Sequence, residues 1–190
     1  GDVIFESNQE AEKVLDPAKA FVMTQMMTGM FDKKLNGYAK VTGNSLIDEI
    51  TRPYAGKSGS TETDSWMIGF TPQLVTAVWA GHDVGKPITL TAEKSYAKKI
   101  WVKYMEESLK GKPVKAFTPP KEGVIGVYVN PENGKLASKD CPVRRFTYFV
   151  AGTEPTEYCT DHLDHKEDKP KEKKQETKDP WYKRIFNWGA

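Results

Sequence analysis

The sequence predicts an α+β fold: an antiparallel β-sheet with helices packed on it, followed by a small β-rich appendage. Three strand-like runs succeed one another between Ala55 and Ala80 with only a few residues between them, and connections that short join antiparallel neighbours. Apolar residues at helical spacing flank these runs on both sides. Beyond Gly111-Lys112-Pro113 the pattern changes to isolated strands separated by turn residues.

Each element has its own local reason. Gly1 to Glu6 reads as a short strand with acidic flanks. Asp16-Pro17 opens a helix, because Asp at the N-cap accepts from free amides and Pro at the first helical position loses no hydrogen bond. Phe21, Val22, Met26 and Met30, with Met23 and Met27 beside them, carry that helix to about Phe31. The methionine cluster fits a helix packed on a sheet better than an adaptable binding face. An irregular polar stretch runs to Arg52 and stops at Pro53. The first strand is Ala55 to Thr61. The second, Ser65 to Phe70, alternates Trp66, Ile68 and Phe70 against Ser65, Met67 and Gly69. The third, Leu74 to Ala80, is nearly all apolar, as for a strand covered on both faces. A polar turn from Gly81 to Pro87 leads to a helix from about Thr91 to Leu109, with Tyr96, Ile100, Tyr104 and Leu109 as its face. Gly123 to Val129 and Phe146 to Val150 are strands, with a turn at Asn130 to Gly134.

At 190 residues the chain holds one domain with a core, or one domain and a tail. The expected division is 1–110, 111–165 and 166–190. The last portion is read as disordered, since six lysines, four acidic residues and no apolar residue lie between Lys166 and Lys178. A formal net charge of +2 gives no argument for nucleic acid. No apolar run approaches the roughly 20 residues that cross a bilayer. The N-terminus does not read as a signal peptide, so a targeting segment, if the protein works outside the cytoplasm, is expected upstream of these residues.

The chemistry centres on Lys57-Ser58-Gly59. Lys57 offers a fixed cation for a carboxylate or for proton movement near a hydroxyl. Ser58 can hydrogen-bond along the strand edge. Gly59 lets another backbone approach closely. The amide of Ser60 can point at a developing oxyanion, worth roughly 3 kcal/mol in comparable sites. Gly56-Lys57-Ser58 is also the end of a phosphate-binding loop, but that motif needs a glycine where Thr51 stands and a helix where a strand follows. A Lys-Ser-Gly strand is one of three motifs that recur together in penicillin-recognising enzymes, with Ser-x-x-Lys and Ser-Asp-Asn.

The wider context carries a resemblance. Ala55 to Thr61, Asp64 to Thr76 and Val78 to Asp83, then Pro113-Val114, Cys141-Pro142 and Gly152 to Thr156 with Cys159 and His162, follow in order the C-terminal part of the transpeptidase domain of class A (bifunctional) penicillin-binding proteins. The resemblance runs from Asp16 to His162. Ser58 and Ser60 stand where the family more often has threonine, and both keep a hydroxyl. The resemblance implies a penicillin-binding protein or serine β-lactamase-like partial domain over residues 1–110. It implies a D,D-transpeptidase that cross-links peptidoglycan stem peptides and is acylated by β-lactams. Lys57 would meet the serine of the Ser-x-Asn motif and a substrate carboxylate, Ser58 and Ser60 would bind that carboxylate, and the Ser60 amide would form half of the oxyanion hole. Gly59 would keep the strand flat, and Thr61 would line the cleft. An upstream glycosyltransferase domain, a membrane anchor and an extracytoplasmic location are implied with it. No cofactor is expected.

Two of the three motifs are missing. Ser-x-x-Lys occurs once, as Ser95-Tyr96-Ala97-Lys98, after the lysine strand and inside a helix, and it is read as coincidence. No Ser-x-Asn or Ser-Asp-Asn occurs. Nucleophile and base must lie within hydrogen-bond reach, so the chain alone is expected to be inactive and to complement the remainder of a transpeptidase domain. His82 is read as a solvent-facing turn residue. Cys141 and Cys159 suit one disulfide or two separate buried thiols. A zinc site with His162 and His165 is disfavoured, because seventeen residues separate the cysteines, so no metal is expected. With the extracytoplasmic location implied by the resemblance, a Cys141–Cys159 disulfide is the expectation. Trp181, Ile185 and Trp188 would share a helical face able to touch a membrane surface, although an unstructured end fits as well. The other function class is a non-catalytic β module after Gly111 that binds cell-wall glycan or a partner protein.

Overall fold

The computed structural model describes residues 2–4 and 12–161. Helix α1 spans Pro17–Thr28. The Asp16 carboxylate accepts from the backbone N–H of Ala18 and of Lys19, each at 3.0 Å, and Gly29–Phe31 tightens into a 3₁₀ turn. Two more 3₁₀ turns, Lys33–Leu35 and Asn44–Leu46, punctuate the polar stretch before the sheet. Strands β1 (Ala55–Ser60), β2 (Asp64–Phe70) and β3 (Val75–Gly81) form an antiparallel sheet in the order β1-β2-β3. Helix α2 spans Tyr96–Leu109, after a 3₁₀ turn at Glu93–Ser95. Strands β4 (Val124–Val129) and β5 (Arg145–Val150) pair antiparallel as a second, two-stranded sheet.

The core lies between α2 and one face of the larger sheet. Its centre is Trp101, fully buried, stacked on Phe31 at 5.8 Å and meeting Tyr54 edge-on at 5.1 Å. Met67 of β2, with Met105, Val102 and Leu109 of α2, completes it, together with Leu46. The Tyr54 hydroxyl donates to Glu106 Oε1 at 2.8 Å, and Thr51 donates to the same carboxylate, which ties the approach to β1 onto α2.

Burial resolves the alternation on β2 and corrects two expectations, on α2 and on β3. On β2 the buried set is Ser65, Met67 and Gly69, whereas Trp66 and Ile68 are exposed. The bulky alternate set points away from α2 because Trp101 takes up the space over Gly69: a Cβ there would sit 2.4 Å from Trp101 Cζ2. On α2 the buried face is Ala97, Trp101, Met105 and Leu109, with Val102 beside it, and Tyr96, Ile100 and Tyr104 are exposed. Both stripes are apolar, and the indole decides between them. Strand β3 is not covered on both faces. It ends the sheet among the described residues, and Val75 is 67% exposed.

Helix α1 bridges the two sheets by packing against both β1 and β5. Phe21 meets Tyr148 edge-on at 5.1 Å, and Arg145 Nη1 donates to Asp32 Oδ2 at 2.6 Å. Residues 2–4 take no regular structure, against the short strand expected there. The lysine-rich run from Lys166, the aromatic end from Trp181, His162 and His165 lie outside the described residues.

Candidate functional site

Among the described residues strand β1 is an edge strand, and its register fixes which groups face the open side. Its partners on β2 run from Ala55↔Phe70 through Lys57↔Ile68 and Gly59↔Trp66 to Ser60↔Ser65. The Thr61 N–H donates inward to the Asp64 carbonyl at 2.9 Å. Antiparallel pairing alternates in steps of two, so Gly59 and Lys57 also turn their backbone groups toward β2. The N–H groups of Ser58 and Ser60 therefore face the unpaired edge. The Ser58 carbonyl does too, and it accepts from the Lys57 ammonium at 2.7 Å.

Gly59 sits between those two outward amides. A Cβ on Gly59 would meet nothing nearer than Trp66 Cβ at 3.5 Å, an ordinary van der Waals contact. The fold itself does not demand glycine there, unlike at Gly69. Bare backbone at Gly59 instead leaves room for a chain approaching from outside.

The side chains divide by face. Lys57 is exposed on the sheet face that carries Ile68, Trp66 and Trp79. Ser58 and Ser60 lie on the opposite face, at the rim of the core. Thr61 is engaged in the turn: its hydroxyl donates to Asp64 Oδ2 at 3.1 Å and accepts from the Asp64 N–H at 3.0 Å. The Asp64 carboxyl is held below its ordinary range by its hydrogen bonds from Thr63 and from Trp79.

A cleft of about 320 Å³ adjoins Lys57, walled by Gly56 and Lys57 on one side and by Met26, Met27, Met30 and Lys40 on the other. Sequence reasoning set the methionine cluster aside as packing, yet Met26 is largely exposed at this cleft. Lys98 lies close by, and its ammonium donates to the Thr42 carbonyl at 2.6 Å. Burial, and then the charges of Lys40 and Lys57, hold Lys98 below the usual lysine range. Three lysines thus give this side of β1 a cationic field that the separate positions 40, 57 and 98 did not announce.

Ser95 and Lys98 do not form a nucleophile and its base. The Ser95 hydroxyl donates to the Ala92 carbonyl at 2.6 Å, and Lys98 is engaged at Thr42. His82 is exposed. Cys141 and Cys159 are both buried, each with a free thiol. They are nonetheless neighbours, the Cys141 thiol lying within hydrogen-bonding reach of Cys159. Among the described residues no three His, Cys, Asp or Glu side chains gather as a metal site. No described helix is long and apolar enough to cross a membrane.

Comparison with known proteins converges on one family. Residues 120–164 match the family described as the C-terminal domain of penicillin-binding protein 1A. The chain is 52% identical over 159 residues to penicillin-binding protein 2D of Bacillus subtilis, covering 84% of this chain and 23% of that protein. It is 35% identical over 164 residues to penicillin-binding protein 1A of Aquifex aeolicus, covering 85% of this chain and 21% of that one. The crystal structure of penicillin-binding protein 1A from Haemophilus influenzae superposes with a TM-score of 0.66 at 26% identity, over 80% of this chain and 23% of that chain. The matched region thus spans less than a quarter of each of these relatives.

Proposed function

We propose, from the premise that this chain belongs with the penicillin-binding proteins, that it supplies one wall of a serine acyl-transfer site that cross-links peptidoglycan stem peptides. The observation that carries the reading is the open edge of β1, where the amides of Ser58 and Ser60 face outward on either side of a glycine the fold does not need. An extended peptide can add to such an edge as a further strand. Its reacting carbonyl then comes under the Ser60 N–H, which is fixed in direction before any charge develops on the oxygen.

The remaining roles follow from position. The Lys57 ammonium stands free of any carboxylate among the described residues and reaches the strand edge, where it would attract the terminal carboxylate of a stem peptide or the carboxylate of a β-lactam. The hydroxyls of Ser58 and Ser60 would hydrogen-bond that carboxylate. Thr61 contributes by holding the hairpin turn, so its share in the cleft is indirect. The nucleophilic serine and the Ser-x-Asn motif do not occur among these residues, and on this reading another part of the transpeptidase domain brings them. The working protein would then sit on the extracytoplasmic face of a bacterial membrane, anchored outside this sequence and joined to a glycosyltransferase domain.

Labelled penicillin tests the reading. The 190-residue chain alone is expected to form no stable adduct and to leave nitrocefin intact. Mixing it with the separately produced segment that carries the other two motifs should restore stoichiometric labelling, and Lys57→Met should abolish that restoration. Stoichiometric labelling of a serine in the chain alone would overturn the proposal.

A further inference from the structure

The unit beyond Leu109 has very little apolar core. Among the described residues there, the buried hydrophobic side chains are Val129, Cys141 and Cys159, and the buried polar one is Asn130. Ile125, Tyr128, Val143 and Tyr158 are all exposed. A two-stranded sheet is marginal by itself, and units this small usually need a covalent or metal staple. The two sulfurs occupy the place where such a staple belongs.

Backbone pairing brings them there. Val129 bridges to Leu136, and Leu136 bridges to Tyr158. The Leu136 N–H donates to the Glu157 carbonyl and the Cys159 N–H donates to the Leu136 carbonyl, each at 2.8 Å. This lays Cys159 against the turn that follows β4, where the side-chain amides of Asn130 and Asn133 donate to its sulfur at 3.2 and 3.3 Å. Cys141 arrives from the other side through a turn closed on the Ser138 carbonyl. Its thiol comes within hydrogen-bonding reach of Cys159.

We infer that Cys141 and Cys159 close as a disulfide that ties residues 136–141 to residues 157–159 beside the β4–β5 hairpin, in place of the missing core. The oxidant is a disulfide donor, either a protein or a small molecule. The Cys159 thiolate attacks one donor sulfur and expels the other as a thiolate, leaving a mixed disulfide. The Cys141 thiolate then attacks the Cys159 sulfur, forms the internal bond and releases the second donor sulfur. The two thiol protons pass to the two donor sulfurs, which leave as thiols. Cys159 attacks first because the two asparagine amides stabilise its thiolate and hold it below the ordinary thiol range. Cys141 and Cys159 are only 5% and 1% exposed in the folded chain. Exchange therefore takes place late in folding, once the turn at Asn130 to Gly134 lies against Cys159 and before the unit closes over the sulfurs, and the finished bond is shielded from reductants. Only the supply of oxidant draws on the extracytoplasmic reading, and the thiol count is independent of acylation.

The test uses the full chain refolded with oxidised glutathione, then unfolded in guanidinium with an alkylating agent and no reductant. The expected result is no alkylation, with the intact mass short by two hydrogens. Unfolding in reductant and refolding under it should lower Tm by roughly 10 °C. The double variant C141S/C159S should melt at the reduced value and ignore reductant. During refolding, C141S should trap glutathione on Cys159, whereas C159S should trap far less on Cys141. Two alkylated cysteines, a stoichiometric zinc ion removable by chelator, or a parent-chain Tm unchanged by refolding under reductant would each overturn the inference.

Discussion

The six-membered edge of the Trp101 indole occupies the space a side chain on Gly69 would need, with Cζ2 2.4 Å from where the Cβ would lie. One residue on α2 and one on β2 thereby set the distance between helix and sheet. Gly69→Ala forces the indole out of its stack on Phe31. The expected cost is about 2 kcal/mol of stability, read by urea denaturation, with the larger loss at Trp101→Ala, about 4 kcal/mol. A neutral Gly69→Ala would mean that α2 slides easily.

Gly59 should behave in the opposite way. A Cβ there meets only Trp66 Cβ, at 3.5 Å, so Gly59→Ala should leave the melting curve within error of the parent. In the complemented enzyme, the same methyl should hold an incoming strand off the edge and slow penicillin acylation roughly 100-fold. Equal loss of stability and activity would argue that Gly59 serves packing.

The direction of the Ser60 amide can be tested by removing it. Proline lacks the N–H, and at Ser60 no bond to β2 is at stake, because that amide faces outward. Ser60→Pro should therefore fold, while acylation by labelled penicillin falls on the order of 100- to 1000-fold. Thr61→Pro deletes the inward bond to the Asp64 carbonyl and should destabilise the hairpin instead. If the two variants were equally damaged in folding, the assignment of the Ser60 amide to the open edge would be wrong.

Alkaline stability should depend on two phenols. Burial between Phe21 and Phe146 raises Tyr148 to about 12. Burial, and then the hydrogen bond to Glu106, raises Tyr54 as well. A phenol that ionises later in the folded than in the unfolded chain contributes stability that is intact below pH about 10 and is lost as pH climbs through the folded value. Lys98 works the other way, because its depressed folded value makes rising pH relieve a buried charge. Urea midpoints should therefore fall above pH about 10, and Tyr148→Phe should flatten that fall. An unchanged slope in the variant would show that Tyr148 ionises freely.

Local chemistry was legible where a short segment dictates its own shape. Asp16-Pro17 announced the start of α1, and the short connections between Ala55 and Ala80 announced the hairpins. The Lys57 strand was legible in the same way, since its edge position and outward amides follow from one register. Burial was harder to read. Ile68 and Trp66 look like a core face, and only the volume of Trp101, set by a different element, shows that Ser65, Met67 and Gly69 form it. The cationic neighbourhood of Lys57 was hidden for a related reason, because Lys40 and Lys98 reach it through the packing of a loop and a helix. The thiol pair gave a half-signal: composition showed two cysteines, but the asparagine donors at Cys159 depend on a bridge through Leu136 that no local pattern encodes.

The contrast between Trp101 and the pair Trp66 and Trp79 also equips the chain with its own optical reporters. Trp101 has no exposed surface, whereas Trp66 and Trp79 are 43% and 44% exposed, so iodide should quench the latter two and spare the first. With Trp181 and Trp188 replaced by phenylalanine, the unquenched emission follows the packing of α2 on the sheet, and the quenchable emission follows whatever covers the outer face. Docking of a complementing segment over that face would then appear as loss of quenching at constant core signal, which separates association from folding in a single titration.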